Sequence, residues 1–358
     1  MPDLTVNLWN LRLNHPIMPA AGPPVVDGDA LLACAEGGAA ALVTKTVSRT
    51  GAVIAHPNMA DFKTYFLNTE LWSELSPEQW LEVEYPKAKT AGLPMIISLG
   101  YSADDIAWLA PKVRPFADAL ELSTHYIGSD PRPMQDAVKA AKDAVDVPVT
   151  VKVTPHHDIL RAAVAAQEAG ADGIVAVNSF GPAFGVDIEH GGRLWMGGKG
   201  YGWISGPALK PLALRAVYDI TRGTDLPVIG VGGITRGTDV IDYLMAGAAA
   251  VQVCTAAITK GPGIYGKLAK EVDDWLGKHN YASVKEIQGL AVKQEPPLMK
   301  REPEILLDRC TGCGLCVTSC VPAALALKDK KITVQPELCV HCGLCITRCP
   351  TDTLQFAG

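Results

Sequence analysis

The chain has 358 residues, 48% hydrophobic and 20% charged, with a formal net charge of -6, a balance that suits a globular protein of one large and one small domain. A mildly acidic surface argues against nucleic-acid binding, which needs a basic face for phosphate contacts. No basic segment followed by an apolar run opens the chain and no stretch is long enough to span a bilayer, so a cytoplasmic protein with no membrane partner is expected.

From residue 16 to about 278, short apolar runs at 17–21, 41–46, 95–99, 119–123, 149–153, 173–178, 228–232 and 250–254 alternate with longer segments. Among those segments, 133–145, 159–169, 209–221 and 240–246 carry helical patterning, and glycines follow several of them as left-handed caps. Eight βα units over this length predict an α/β fold, a (β/α)8 TIM barrel. A doubly wound open sheet is the alternative, because periodicity does not decide whether the eighth and first strands pair. In both folds the ligand lies at the carboxyl ends of the strands.

Those ends carry Ala20-Ala21-Gly22, Thr44-Lys45-Thr46, Ser98-Leu99-Gly100, Ser123-Thr124-His125, Lys152, Asn178-Ser179, Gly232-Gly233 and Cys254-Thr255. A lysine ending an apolar strand is costly unless it meets an anion or a polar ligand atom. A salt bridge to a neighbouring strand would explain one such lysine, but Lys45 and Lys152 beside an asparagine and a diglycine point to a cofactor. Gly230-Val231-Gly232-Gly233-Ile234 and Cys254-Thr255-Ala256 follow the seventh and eighth runs, where barrels bind phosphate through backbone N–H groups. A dinucleotide fingerprint fails at Thr235. A mononucleotide such as FMN fits better, since it accepts an electron pair and passes the electrons on singly.

The glycine-rich loop 180–202 is long enough to be functional. His190, Arg193, Trp195, Lys199 and Tyr201 within it could meet an acidic or aromatic substrate, with Arg193 best suited to a carboxylate; taken singly, each reads first as part of a surface lid with scattered charges. Prolines and charges mark 292–304 as a linker, which separates a barrel over 1–291 from a tail over 305–358.

The tail holds eight of the ten cysteines, in two runs of the form C-x2-C-x2-C-x3-C. That is the spacing of a bacterial ferredoxin-like domain, in which three cysteines of one run and the last of the other ligate each [4Fe-4S] cluster. Cys310, Cys313, Cys316 and Cys349 are therefore expected to hold one cluster, and Cys339, Cys342, Cys345 and Cys320 the other. Zinc sites use paired C-x2-C and leave no place for the third cysteine.

Several stretches together resemble a known family: Leu42-Val43-Thr44-Lys45-Thr46, Leu67-Asn68-Thr69-Glu70, Ala119-Leu120-Glu121-Leu122, Val151-Lys152-Val153-Thr154-Pro155, Ser205-Gly206-Pro207-Ala208-Leu209, Gly232-Gly233-Ile234 and Val251-Gln252-Val253-Cys254. They look like the dihydroorotate and dihydropyrimidine dehydrogenases, and the cysteine-rich tail follows the barrel as in the dihydropyrimidine branch. The resemblance implies an oxidoreductase acting on CH–CH bonds, with FMN and two [4Fe-4S] clusters as cofactors. It implies that Lys45, Lys152 and Asn68 approach the flavin or substrate and that Asn178 and Ser179 face the substrate. Gly232, Gly233, Cys254 and Thr255 would surround the phosphate. Glu70 joins Asn68 in one motif, while Ala21, Gly22, Ser205 and Gly206 complete the expected cofactor site.

One loop departs from the family. After the fourth run the family reads Asn-Leu-Ser-Cys-Pro, with the asparagine on the substrate and the cysteine as acid or base; here the chain reads Ser123-Thr124-His125-Tyr126-Ile127. Ser123 takes the asparagine position, and the acid falls to Tyr126 or His125 if either serves. A dihydropyrimidine-type reaction on a cyclic conjugated small molecule is the reading adopted. Reduction of another conjugated substrate, an aromatic or enoyl acid, and a pure electron-transfer subunit are the alternatives. With no second nucleotide-binding domain in the sequence, a partner flavoprotein carrying NAD(P)H and FAD sites, or a ferredoxin, is expected to exchange electrons, and an oligomer is expected.

Overall fold

A computed structural model describes residues 1–124, 130–156, 158–296 and 298–356. The chain forms two compact units, Met1–Lys293 and Gln294–Gly358.

In the first unit the barrel strands are β1 (Ile17–Pro19), β2 (Leu42–Val43), β3 (Met95–Leu99), β4 (Ala119–Leu122), β5 (Val149–Val153), β6 (Gly173–Ala176), β7 (Val228–Val231) and β8 (Ala250–Val253). Neighbours pair in parallel from β2 round to β8, and β8 pairs with β1. The remaining gap is bridged by the Ala40 N–H, which donates to the Ile17 carbonyl at 3.0 Å. Pairing of the last strand with the first excludes the open sheet and leaves a near-closed (β/α)8 barrel. Its helices are α1 (Gly28–Glu36), α2 (Tyr85–Lys89), α3 (Ala103–Val113), α4 (Arg132–Ala144), α5 (Ile159–Glu168), α6 (Lys210–Gly223), α7 (Gly237–Met245) and α8 (Ile264–Lys278).

Strand alternation sorts the side chains. Leu120, Leu122, Val149, Val151, Val251 and Val253 point outward into the core beneath the helices. Met18, Val43, Ile96, Ala119, Val175, Ile229 and Ala250 point inward and fill the barrel near its amino-terminal end. Leu8 and Leu13 of an antiparallel hairpin, Val6–Leu8 with Leu11–Leu13, pack onto that layer, and the Trp9 indole donates to the Asp172 carbonyl at 2.7 Å. The same parity turns Glu121, Lys152 and Gln252 inward one layer higher, all buried.

An antiparallel sheet of Met59–Asp61, Phe66–Asn68, Gly202–Ser205 and Phe180–Ala183 lies outside the barrel strands. The long loop is thus largely ordered by pairing, because Val186–Asp187 also pairs with Arg193–Leu194. Among the described residues, no helix is long and apolar enough to cross a membrane.

The second unit is a ferredoxin-like pair of half-repeats. Leu315–Ser319 and Leu344–Arg348 are one-turn helices, each starting two residues after the second cysteine of a run and carrying the third, and Leu325–Lys328 pairs with Lys331–Val334 while Glu304–Ile305 pairs with Leu354–Gln355. Its buried core comprises Cys316, Leu325, Ile332 and Leu354.

Candidate active site

A cavity with an empty volume of about 1240 Å³, open mouth included, lies at the carboxyl ends of the barrel strands. It brings together Ala21, Gly22, Lys45, Asn68, Glu70, Ser123, Lys152, Asn178, Ser179, Ser205, Gly206, Gly232, Gly233, Cys254 and Thr255. His125 and Tyr126 lie outside the described residues.

Both lysines line the cavity and both are salt-bridged. Lys45, 4% exposed just beyond β2, forms an ion pair with Glu70, whose other oxygen accepts from Asn58 Nδ2 at 2.5 Å. Lys152 donates to Glu121 Oε1 at 3.3 Å and to Gln252 Oε1 at 3.4 Å. Gln252 Nε2 donates to Glu121 Oε2 at 2.6 Å and completes the ring. Asn68 is anchored, its Nδ2 donating to the Trp203 carbonyl at 3.1 Å and to Ser205 Oγ at 3.4 Å. Thr255 Oγ1 donates to Ser205 Oγ at 3.1 Å, and Asn178 Oδ1 accepts from the Ser179 N–H at 2.8 Å.

Close approach explains two glycines. A Cβ on Gly22 would lie 2.8 Å from the Cys254 sulfur. Gly233 has φ +67, and its Cβ would lie 2.8 Å from the Gly206 carbonyl oxygen, so any side chain there meets strain and backbone at once. Burial pushes the Cys254 thiol up from its ordinary value near 9 to about 11, with Lys152 and Lys45 offsetting part of the rise. A neutral thiol at that position is a wall of the cavity, not a nucleophile.

The arrangement fits a flavin mononucleotide. Two buried cations face a mainly apolar cavity, and the short helix Thr255–Lys260 opens on its wall without a side-chain cap. The first N–H groups of such a helix have no partner within it, which leaves them to an anionic oxygen alongside the Gly232-Gly233 backbone.

Sequence reasoning missed Asn58, Tyr101, Trp203, Gln252 and the inward role of Glu121. A polar residue at an inward position of an apolar strand was a readable signal for Glu121 and Gln252. Tyr101, on the cavity wall beyond β3, has its phenol raised by burial. The loop candidates take the surface-lid reading. His190 and Arg193 both contact Asp187, at 2.8 and 2.7 Å, and neither they nor Trp195, Lys199 or Tyr201 line the cavity. Pairing of 186–187 with 193–194 turns that hairpin to other contacts, while Trp203, just past the loop, lines the site.

In the second unit, one void is lined by Cys310, Cys313, Cys316 and Cys349 and another by Cys320, Cys339, Cys342 and Cys345. Each gathers three cysteines of one run and the last of the other. Among the described residues, no three His, Cys, Asp or Glu side chains converge closely enough for a single metal ion. Each void is lined by four cysteines, the number that a cuboidal cluster takes. Burial pushes the Cys349 thiol up, but hydrogen bonds from Thr351 and Thr353 outweigh it and hold the group at about 7, closer to the thiolate that ligation needs.

Residues 3–276 match the family model for dihydroorotate dehydrogenase, and residues 309–353 match that for a 4Fe-4S dicluster domain. The chain is 36% identical over 304 residues to the catalytic subunit of dihydroorotate dehydrogenase B (NAD(+)) from Pyrococcus abyssi, covering 81% of this chain and 99% of that protein. The same subunit from Methanothermobacter thermautotrophicus is 35% identical over 301 residues, covering 80% of this chain and 98% of that protein. That from Methanosarcina mazei is 36% identical over 307 residues, with 80% and 95% covered.

Proposed function

Because the chain belongs to the dihydroorotate dehydrogenase family, whose members are FMN-dependent oxidoreductases of CH–CH bonds, and carries a 4Fe-4S dicluster domain, we propose that it adds or removes hydrogen across a ring C=C bond of an uncharged cyclic amide, in the manner of a dihydropyrimidine dehydrogenase. The observation that carries this reading is the charge inventory of the cavity. Among the described lining residues the charged ones are Lys45, Glu70 and Lys152, and each is already ion-paired. An acidic ring such as orotate would have to compete with Glu70 and Glu121 for cations that are already paired. A neutral ring needs only the amide and hydroxyl groups of Asn68, Asn178, Ser179 and Ser123.

Bound FMN would supply electron-pair chemistry at the substrate carbon and one-electron exchange with the clusters. The chain's own residues hold and orient. Lys45 and Lys152 would contact the polar edge of the flavin or substrate, and Gly232, Gly233, Cys254 and Thr255 its phosphate, with Ala21, Gly22, Ser205 and Gly206 completing the cradle. Asn68, Asn178, Ser179 and Ser123 would bind the amide edge of the substrate, with Glu70 fixing Lys45. The proton at the second carbon is assigned to Tyr126 or His125. Cys310, Cys313, Cys316 and Cys349 would hold one cluster, and Cys339, Cys342, Cys345 and Cys320 the other. The relatives are named as catalytic subunits of NAD(+)-linked enzymes; by analogy, a partner flavoprotein or a ferredoxin would exchange electrons with this chain.

A second reading, reduction of a larger conjugated acid, is favoured by the aromatic walls Phe66, Tyr101 and Trp203 together with serine at position 123. Anaerobic photoreduction of the bound flavin, followed by reoxidation with uracil, thymine, orotate, an aromatic acid or an enoyl thioester, separates the readings. Uracil or thymine should reoxidise the flavin fastest. Reoxidation by orotate or by the acids alone would overturn the neutral-ring assignment, and reoxidation by none would leave an electron-transfer subunit.

A further inference from the structure

We propose that Glu121 and Gln252 are positioning residues that set the electron affinity of the bound flavin by holding Lys152. This rests on the reading of the cavity as the FMN site. The three side chains come from β4, β5 and β8, and none is more than 5% exposed. They form a closed ring of hydrogen bonds. Gln252 donates through Nε2 to Glu121, which leaves its amide oxygen facing Lys152; the amide thus acts as a spacer whose orientation the carboxylate dictates.

A lysine ammonium has three donors. Two go to Glu121 and Gln252 at 3.3 and 3.4 Å, longer than a charge-assisted bond prefers, so a better acceptor in the cavity can share the ammonium. Solvent screening is weak at such burial. The net charge of the ring therefore acts directly on a flavin that becomes more anionic when reduced. Lys152 favours the reduced form, and Glu121 offsets that preference. Removing the carboxylate while keeping shape and hydrogen bonding should favour the reduced flavin.

The test compares wild type, Glu121→Gln and the exchanged double variant Glu121→Gln with Gln252→Glu. It measures the potential of the bound flavin by spectroelectrochemical titration and the dissociation constants of oxidised and reduced FMN. In E121Q the preference for reduced over oxidised FMN should rise about tenfold, about 30 mV upward for a two-electron couple. The double variant returns a carboxylate to Lys152 from the opposite strand and should restore the wild-type potential to within about threefold in that preference. Thermal melting of the flavin-free proteins reports packing separately, and mere loss of packing would lower the affinity for both redox forms alike. An unchanged potential in flavin-loaded E121Q overturns the proposal, as does a double variant displaced as far as E121Q. If E121Q does not fold, the double variant decides alone: a wild-type potential supports the ring, and a tenfold displacement overturns it. A wild-type protein that takes up no FMN would defeat the cofactor reading itself, and this inference with it.

Discussion

Glu70 holds Lys45 as Glu121 holds Lys152, but from a different kind of element. It sits two residues beyond a strand of the outer sheet, and Asn58 from the loop before that sheet braces it. Replacing Glu70 by Gln leaves Lys45, 4% exposed, without a counter-charge beside the bound ring. Part of the cost is recovered because Glu70 itself meets the open cavity. A net loss of about 2 kcal/mol corresponds to a roughly 30-fold fall in kcat/KM. The flavin-to-protein ratio should stay at the wild-type level, since neither Glu70 nor Lys45 is among the residues assigned to the phosphate. Steady-state kinetics with flavin absorbance checks both, and unchanged kcat/KM would remove Glu70 from the working site. Lys45 and Lys152 were legible in the sequence because a charge ending an apolar run has few explanations. Asn58 was not, because a loop asparagine has many, and only the fold brings it to Glu70.

At the scale of elements, the loop between β7 and α7 is tied down by one carboxylate. Asp239, in the first turn of α7 and 2% exposed, accepts from the Thr235 and Arg236 N–H groups at 2.8 and 3.2 Å and from Lys210 Nζ at 2.6 Å. Burial pushes this carboxyl up, but Lys210 and Thr235 outweigh it and hold it below its ordinary value of 3.8. A depressed carboxyl contributes stability that is present above the unfolded value and lost as pH falls through the folded one. Asp239→Asn should therefore lower the melting temperature by several degrees at neutral pH, for a loss of about 2 kcal/mol. It should also flatten the decline of melting temperature below about pH 4. Because Gly233 and Thr235 line the cavity, FMN affinity should weaken with it. Melting curves from pH 2.5 to 7 with FMN titration make the check; parallel curves for variant and wild type would refute it. The barrel strands themselves were legible from short apolar runs, since burial on both faces leaves that mark. The outer sheet was not, because it pairs Phe66–Asn68 with Gly202–Ser205, strands far apart in sequence and too short for an alternation to register. Arg193 takes the surface-lid reading: it contacts Asp187, a neighbour brought to it by hairpin pairing.

For the whole molecule, the curated relatives align over about 80% of this chain while nearly all of their own length is covered, and the dihydroorotate dehydrogenase match ends at 276 while the dicluster match spans 309–353. The two units differ sharply in how they are stabilised. The barrel buries an apolar layer beneath its helices and another inside its strands. The tail's core amounts to Cys316, Leu325, Ile332 and Leu354, too little for a unit of its size to fold alone. Cluster binding must supply the difference. Cys320→Ser removes the cysteine proposed as the first run's ligand in the second void. It should lower iron and sulfide to about half, leave bound flavin unchanged, and slow electron exchange with an external one-electron carrier at least about tenfold while photoreduction of the flavin proceeds. Stripping both clusters with a chelator under reducing conditions should go further. The linker and tail should become open to protease, and a resistant fragment close to Met1–Lys293 should survive with FMN still bound. Iron assay, visible spectra and limited proteolysis read these outcomes. A stripped tail as resistant as the loaded one would show that its small core suffices, and loss of flavin along with iron would show that the barrel depends on the clusters for more than electrons.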